Sequence, residues 1–274
     1  MRRLAHISDL HFGKTDGGIV RALHGHLLAF DPDLLIITGD VTQRARACQF
    51  QKARGFLESL PFARLVVPGN HDLTPVYRPL CRALDPYRNY RRFMSRELDS
   101  VFVDDELLVL GLNTAHPLRV TEGVVTRSQV AWVSEQAERY AGRFRVLAAH
   151  HPLLQPRARP LRSQVLGASA LRCVLELAGI ELVLAGHLHE SFSGPAAARL
   201  GSTESMVVVQ SSTTTSTRLR GHLNAYNQII VDPPHVDIRV NVWNGCRFEC
   251  ERDFTYTRGE HAWELRRTAL EARL

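Results

Sequence analysis

The sequence predicts an α/β fold with parallel strands and a polar site at their carboxyl ends. Three observations carry that prediction. Apolar runs of strand length alternate with helix-spaced segments through the first quarter of the chain. Asp, Asn and His recur directly after five strand-like runs. And 45% of the 274 residues are hydrophobic, enough for one large core.

Residues 4–8 read as the first strand, with His6 a packed strand residue rather than a ligand. After Gly13, the positions Ile19, Leu23, Leu27 and Phe30 share one helix face, and His24 and His26 ride on its surface side. Asp31-Pro32 ends that helix. Leu34-Leu35-Ile36-Ile37 is continuously apolar, as in a strand buried on both faces. Thr42 is placed to cap a helix with the face Ala53, Phe56, Leu57 and Leu60. Leu65-Val66-Val67 is the third strand. The resulting βαβαβ order implies parallel strands and right-handed crossovers.

From 73 to 97 the pattern fails. Arg78, Arg82, Arg88, Arg91, Arg92 and Arg96 interleave with Tyr77, Tyr87, Tyr90 and Phe93. Because this segment follows Gly69-Asn70-His71-Asp72 directly, it is expected to form a lid or rim beside the site. Residues 100–104 and 106–111 read as a hairpin around Asp104-Asp105. A helix over 126–140 starts with the capping-box pair Thr126 and Gln129. A strand over 144–149 ends at His150, and 156–162 is a basic loop. A helix over 170–178 stops at Gly179, and a strand over 180–185 ends at Gly186. Strand-like runs follow at 206–210, 225–231, 236–243 and 246–254. Residues 261–274 are expected to form a terminal helix with Trp263, Leu270 and Leu274 on one face. No repeat or linker divides the chain, so one domain over 1–274 is expected, with 256–274 as a C-terminal extension.

The net charge is +6, and Lys14 and Lys52 are the only lysines. A positive balance made almost wholly of Arg suits an anionic substrate, although a GC-rich genome gives the same bias. Cys48, Cys81, Cys173, Cys246 and Cys250 are odd in number and contain no CxxC pair, which fits a reducing, cytoplasmic setting. No apolar run reaches transmembrane length. No basic helix or nucleic-acid module appears, so nucleic acid is not an expected partner. A homodimer is compatible with the sequence and not dictated by it.

The strand ends carry Asp9-Leu10-His11, Gly39-Asp40, Asn70-His71-Asp72, His150-His151 and His187-Leu188-His189. Side chains two apart on an extended backbone point the same way, so Asp9 with His11, and His187 with His189, each aim two donors at one place. Gly39, Gly69 and Gly186 precede candidate ligands and read as turning points. In open α/β sheets, sites form beyond the carboxyl ends of the strands. Oxygen and imidazole donors without thiolate suit Mn, Fe, Zn or Ni. Asp40 stands mid-set and is the natural bridge between two cations. A hydroxide held between them would be the nucleophile, with the cations clamping the phosphoryl oxygens.

Taken together, DxH, Gly39-Asp40-Val41-Thr42-Gln43, GNHD, HHP and GHxH resemble the calcineurin-like metallophosphoesterase superfamily. Within it they are most similar to bacterial class III cyclic-nucleotide phosphodiesterases and glycerophosphodiesterases. The motifs cover Asp9 to His189, and residues 210–227 add a weaker likeness. The resemblance implies a four-layer αββα sandwich and two divalent or trivalent ions, Mn, Fe or Zn. One ion would be held by Asp9, His11, Asp40 and His189, the other by Asp40, Asn70, His150 and His187. His71 would bind phosphate or protonate the leaving oxygen, with Asp72 orienting it. The first His of HHP, His150, would be the ligand. UDP-diacylglucosamine pyrophosphohydrolases are similar but usually carry Arg where His71 stands, so the expected substrate is a small anionic phosphodiester, 3′,5′-cyclic nucleotides first. A pyrophosphohydrolase or phosphomonoesterase is the alternative. A metal-free scaffold is disfavoured because no ligand position is lost.

Overall fold

The computed structural model describes residues 1–154, 165–196, 205–260 and 262–270; the basic loop expected at 156–162 and Leu274 lie outside them. Strands β1 (Arg2–Ile7), β2 (Leu34–Thr38) and β3 (Ala63–Val67) pair in parallel. They alternate with helices α1 (Gly17–Phe30) and α2 (Ala47–Glu58). Asp16 starts α1 by accepting from Gly18 N at 2.7 Å and Ile19 N at 3.1 Å. Asp31 ends it in a left-handed conformation. The helix buries Ile19, Leu23, Leu27 and Phe30, the expected face. His26 is half-buried: it packs against Tyr226 and Phe248, which partly cover that flank of α1. Thr42 does not cap α2. Arg46 holds the N-cap position, and Thr42 Oγ1 instead accepts from Ala45 N and donates to Asp72.

The 73–97 segment holds two short helices, α3 (Pro79–Leu84) and α4 (Arg88–Phe93). It is fastened from below. Tyr90 is fully buried and donates to Val66 O, and Arg82 gives its guanidinium to the carbonyls of Thr74, Pro117 and Arg119.

The chain then forms the hairpin β4 (Ser100–Val103) and β5 (Leu107–Leu112) and the short strand β6 (Gly123–Val124). Helix α5 (Arg127–Arg139), with its Thr126–Gln129 capping box, leads to β7 (Phe144–Ala149). Next come β8 (Val165–Leu166), α6 (Ala168–Leu177), β9 (Leu182–Ala185), β10 (Phe192–Pro195) and β11 (Val207–Gln210). The C-terminal strands are β12 (Ala225–Asp232), β13 (His235–Trp243), β14 (Phe248–Arg258) and β15 (Trp263–Leu270).

Two large sheets result, in the orders β15-β14-β13-β12-β1-β2-β3 and β10-β11-β9-β7-β5-β4, and β6 and β8 form a separate two-stranded pair. Their inner faces meet through Leu4, Leu34, Ile36, Leu65 and Val67 on one side and Val109, Val146, Leu182 and Val207 on the other. The outer face of the first sheet packs Leu35 and Ile37 against α1 and α2. The outer face of the second packs Leu110 and Leu147 against α5 and α6. This is the four-layer αββα sandwich. Continuous apolar runs are required because each central strand buries both faces. Ile36, fully buried between the sheets, is one such residue, and cutting it to Ala would cost about 2–5 kcal/mol.

The expected terminal helix is instead strand β15. Trp263 does face the core, but Glu264, Leu265, Arg266 and Arg267 are exposed. Pairing with β14 from Arg252 to Arg258 satisfies the backbone there, and the charges suit an edge strand.

Candidate metal centre

The five polar turns follow β1, β2, β3, β7 and β9, all parallel strands, at the end where the two sheets meet. Asp9 Oδ1, His11 Nε2 and His189 Nε2 form one group. His189 Nε2 lies 3.0 Å from Asp9 Oδ1 and 3.3 Å from His11 Nε2, and His11 Nε2 lies 3.7 Å from Asp9 Oδ1. Asn70 Oδ1, His150 Nε2 and His187 Nδ1 form a second, with 3.1 Å and 3.3 Å separations about His150. Asp40 stands between them. Its Oδ2 is 3.7 Å from His11 Nε2 and its Oδ1 is 3.5 Å from His150 Nε2. The seven expected ligands are thus brought together, and the carboxylate read as the bridge turns one oxygen to each group.

The local backbone explains how the turns aim inward. Asp9, His11, Asp40, His187 and His189 all have positive φ, between 49° and 70°. These left-handed conformations are costly for residues with a Cβ and cluster at functional sites. The inward aim of Asp9 and His11 therefore comes from two left-handed residues, not from strand alternation. At Gly186 the requirement is space: a Cβ there would come within 1.9 Å of Ser8 Oγ.

Buried hydroxyls hold the strained turns. Thr213 Oγ1 donates to Asp9 O, Thr215 Oγ1 to Leu10 O and Ser212 Oγ to His189 O. The run from Ser211 to Ser216 is almost completely buried. The sequence analysis assigns 211–216 no role, whereas these residues form a strap behind the ligand turns. Seven consecutive hydroxyl residues, Ser211 to Thr217, directly after a buried strand are the available signal.

The donor set fits cations on three counts. Asp9 Oδ1 is buried and faced only by ring nitrogens among the described residues, His189 Nε2 at 3.0 Å and His11 Nε2 at 3.7 Å, while Oδ2 is engaged by Ser8 Oγ and His187 N. A carboxylate oxygen so placed, facing two imidazole nitrogens, lacks the positive charge that its burial requires. His150 Nδ1 lies 2.8 Å from Thr38 O, so that nitrogen carries the proton and Nε2 presents a lone pair to the group. Third, burial lowers His11 to about 4 and His187 to about 3. Burial opposes ionisation of Asp9 and Asp40, but the surrounding imidazoles hold both carboxyls low. Ionised carboxylates with neutral imidazoles are the ligand-competent forms. Only His150 runs the other way: Asp40 and Asp9 outweigh its burial and raise it. His151 Nδ1 lies 2.8 Å from Thr114 Oγ1, while its buried Nε2 has no hydrogen-bond partner among the described residues and lies with His150 and His187 in a further group of possible ligands.

His71 is positioned differently from expectation. Its Nδ1 lies 2.8 Å from Gln43 O, and no hydrogen bond joins its ring to Asp72. The Asp72 carboxylate instead accepts from Val41 N, Thr42 N, Thr42 Oγ1 and Gly69 N, tying the GNHD turn to the turn after β2. Burial and the Asp40 charge push Asp72 up to about 6 against the pull of those donors. Gln43, which the sequence reading quoted but gave no role, orients the ring. With Nδ1 protonated toward a carbonyl, Nε2 is the atom left for chemistry.

His71 and Asn70 line a cavity of about 490 Å³. Leu73, Pro75, Val76, Tyr77 and Val120 give it an apolar wall, and Lys14, Arg44 and Arg218 bring positive charge. Arg82 borders it, but its guanidinium is committed to carbonyls and is not a free rim cation.

Comparison with known proteins agrees with this geometry. The chain is 30% identical over 216 residues to a cAMP/cGMP dual specificity phosphodiesterase of Mycobacterium tuberculosis, covering 69% of this chain and 62% of that one. It is 29% identical over 172 residues to the glycerophosphodiester phosphodiesterase GpdQ of Enterobacter lignolyticus, covering 55% and 57%. It thus spans less than two thirds of the length of either relative. In fold it is similar to the purple acid phosphatase PPD1 of yellow lupin, with a TM-score of 0.68 at 11% identity over 94% of this chain and 54% of that one. Among the described residues, no helix is long and apolar enough to cross a membrane. The family model for calcineurin-like phosphoesterases matches residues 2–191, which contain every donor in the two groups. The chain belongs to the calcineurin-like phosphoesterase family.

Proposed function

We propose that this protein is a metal-dependent phosphodiesterase acting on a small diester, with 3′,5′-cyclic nucleotides as first candidates. The observation that carries the reading is Asp40, whose two oxygens face two separate groups of buried donors. One cation would be held by Asp9, His11, Asp40 and His189, and a second by Asp40, Asn70, His150 and His187. Mn, Fe or Zn suit this donor set. When bound, such ions supply Lewis acidity toward phosphoryl oxygens and an activated water. The chain's own part is to hold these donors ionised or neutral as required, and to move a proton at His71 Nε2 to the leaving oxygen. The cationic and apolar lining of the adjoining cavity supports an organic phosphoester rather than free phosphate. Residues 1–274 are read as one catalytic domain, with 73–97 as its rim. Five cysteines without disulfide partners support a cytoplasmic setting.

The test compares kcat/KM for cyclic AMP, a glycerophosphodiester, a UDP-sugar lipid and a phosphomonoester at equal metal loading. A diester should lead. A monoester or the diphosphate leading by more than about tenfold, some 1.4 kcal/mol of transition-state preference, would overturn the assignment.

A further inference from the structure

A second groove, of about 660 Å³, adjoins the catalytic cavity; Arg44, Pro75 and Tyr77 line both. Its wall carries the guanidiniums of Arg44, Arg46, Arg78, Arg88 and Arg92 against one carboxylate, Asp85, which already lies 3.4 Å from Arg91. Arg92 lies over the Phe93 ring. The side chains of Arg44, Arg46, Arg78 and Arg88 make no hydrogen bond or ion pair among the described residues. Some arginines elsewhere are committed, Arg54 to Glu58, Arg82 to three carbonyls and Arg145 to Ala178 O, and others such as Arg21 and Arg127 stand uncommitted singly among the described residues; here four uncommitted ones share one groove. Four uncommitted guanidiniums around one groove repel each other until an anion joins them. Their planar forks match phosphate oxygens.

We propose that this groove is a second-phosphate subsite, and that it extends the substrate range to short linear oligonucleotides carrying a terminal phosphate. The inference rests on the diesterase reading above. A cyclic mononucleotide or a glycerophosphodiester with one phosphate leaves the groove empty. In a 5′-phosphorylated dinucleotide, the scissile diester and the terminal phosphate flank one nucleoside. Tyr77, 55% exposed and lining both spaces, is an aromatic side chain on which that base would stack. The reaction is ordinary hydrolysis: water's oxygen bonds to phosphorus, one phosphorus–ester oxygen bond breaks, and a proton ends on the departing oxygen. A single extra phosphate needs no nucleic-acid-binding module, so the expectation against nucleic acid is revised only for short fragments.

The experiment measures kcat/KM for pApA and ApA with the metal-loaded wild type and with Arg78→Gln/Arg88→Gln. Bis(p-nitrophenyl) phosphate and p-nitrophenyl phosphate serve as the diester and monoester references. The wild type should prefer pApA over ApA by at least about tenfold, mainly through KM, and the double substitution should bring that ratio close to one. The wild-type ratio needs no variant, so a misfolded variant leaves the proposal testable. A wild-type ratio near one, a ratio the double variant preserves, or turnover of the reference diester without either dinucleotide would overturn the subsite. Turnover of the reference monoester alone would instead overturn the diesterase reading.

Discussion

Asp9, His11 and His189 are at most 2% exposed, whereas Val76 and Tyr77, in the wall of the cavity that adjoins the donors at Asn70 and His71, are more than half exposed. The donor wall is held by strained turns, buried hydroxyls and carbonyl-anchored rings. The facing wall is tied from beneath by Arg82, Tyr87, Asn89 and Tyr90, and its outward Arg78 and Arg88 are uncommitted among the described residues. The difference separates chemistry from selection. Donors must converge within a few tenths of an ångström and so sit on rigid strand ends. Groups that choose among substrates sit on an excursion whose surface can change without disturbing the sheets.

The sharpest way to break the comparison is Asp40→Ala. If the donor wall acts as one unit through its shared carboxylate, both ions and activity should be lost together. The loss should exceed the roughly 100-fold typical of outer-sphere changes. Elemental analysis after reconstitution reads the metal. A variant retaining two ions per chain would remove Asp40 from the bridge.

His71 stands where the two walls meet, half-buried, with its ring held by Gln43 O. His71→Ala should retain the metal and lose roughly 10²–10⁴-fold in kcat on diesters with poor leaving groups, and much less on p-nitrophenyl esters. Equal losses on both would eliminate proton donation to the leaving oxygen.

The two walls were not equally legible in the sequence. Every donor was readable, because apolar run, turn and ligand recur five times and only strand ends tolerate Asp, Asn and His in that pattern. The support was not. Hydroxyls 211–216 and Gln43 O act through backbone hydrogen bonds across some 200 residues and 28 residues, which no local pattern encodes. Asp72 was misread for the same reason: its partners are amides of the turn after β2, not the adjacent ring. In the 73–97 segment, six arginines look alike in sequence, yet Arg82 is an internal tie and Arg78 a free cation. Strand β15 was lost to a helical spacing because its pairing partner, β14, lies before it and sets the conformation of an otherwise ambiguous segment.

Arg82→Ala tests whether the facing wall depends on that one tie. Removing it leaves the carbonyls of Thr74, Pro117 and Arg119 without their shared donor. Unfolding in urea should show a loss of about 2–3 kcal/mol. KM should rise while metal content holds. A stability change below about 0.5 kcal/mol would mean the segment is anchored by its other ties, Tyr87, Asn89 and Tyr90.

The smallest effect concerns His6, the one histidine of the first strand, which faces neither wall. It is fully buried, with Nε2 2.9 Å from Thr38 Oγ1 and Nδ1 3.2 Å from Asn227 Nδ2. The amide nitrogen can only donate, so Nδ1 accepts and Nε2 carries the proton: the ring is neutral and has no lone pair free for a metal. Burial lowers it to about 3, below the ordinary value of 6.5. In the unfolded chain the ring takes up a proton below about 6.5, whereas in the fold it resists down to about 3. The unfolded state therefore binds more protons in this window. Its contribution to stability is complete above pH 6.5 and is lost progressively as pH falls toward 3. At pH 5.5 the loss is about 1.4 kcal/mol relative to neutral pH. His6→Gln, whose amide can reproduce both hydrogen bonds, should unfold with a shallower acid dependence by that amount while binding the same two metals. An unchanged acid slope would show that His6 is already protonated in the fold, and a lost metal would make it a ligand after all.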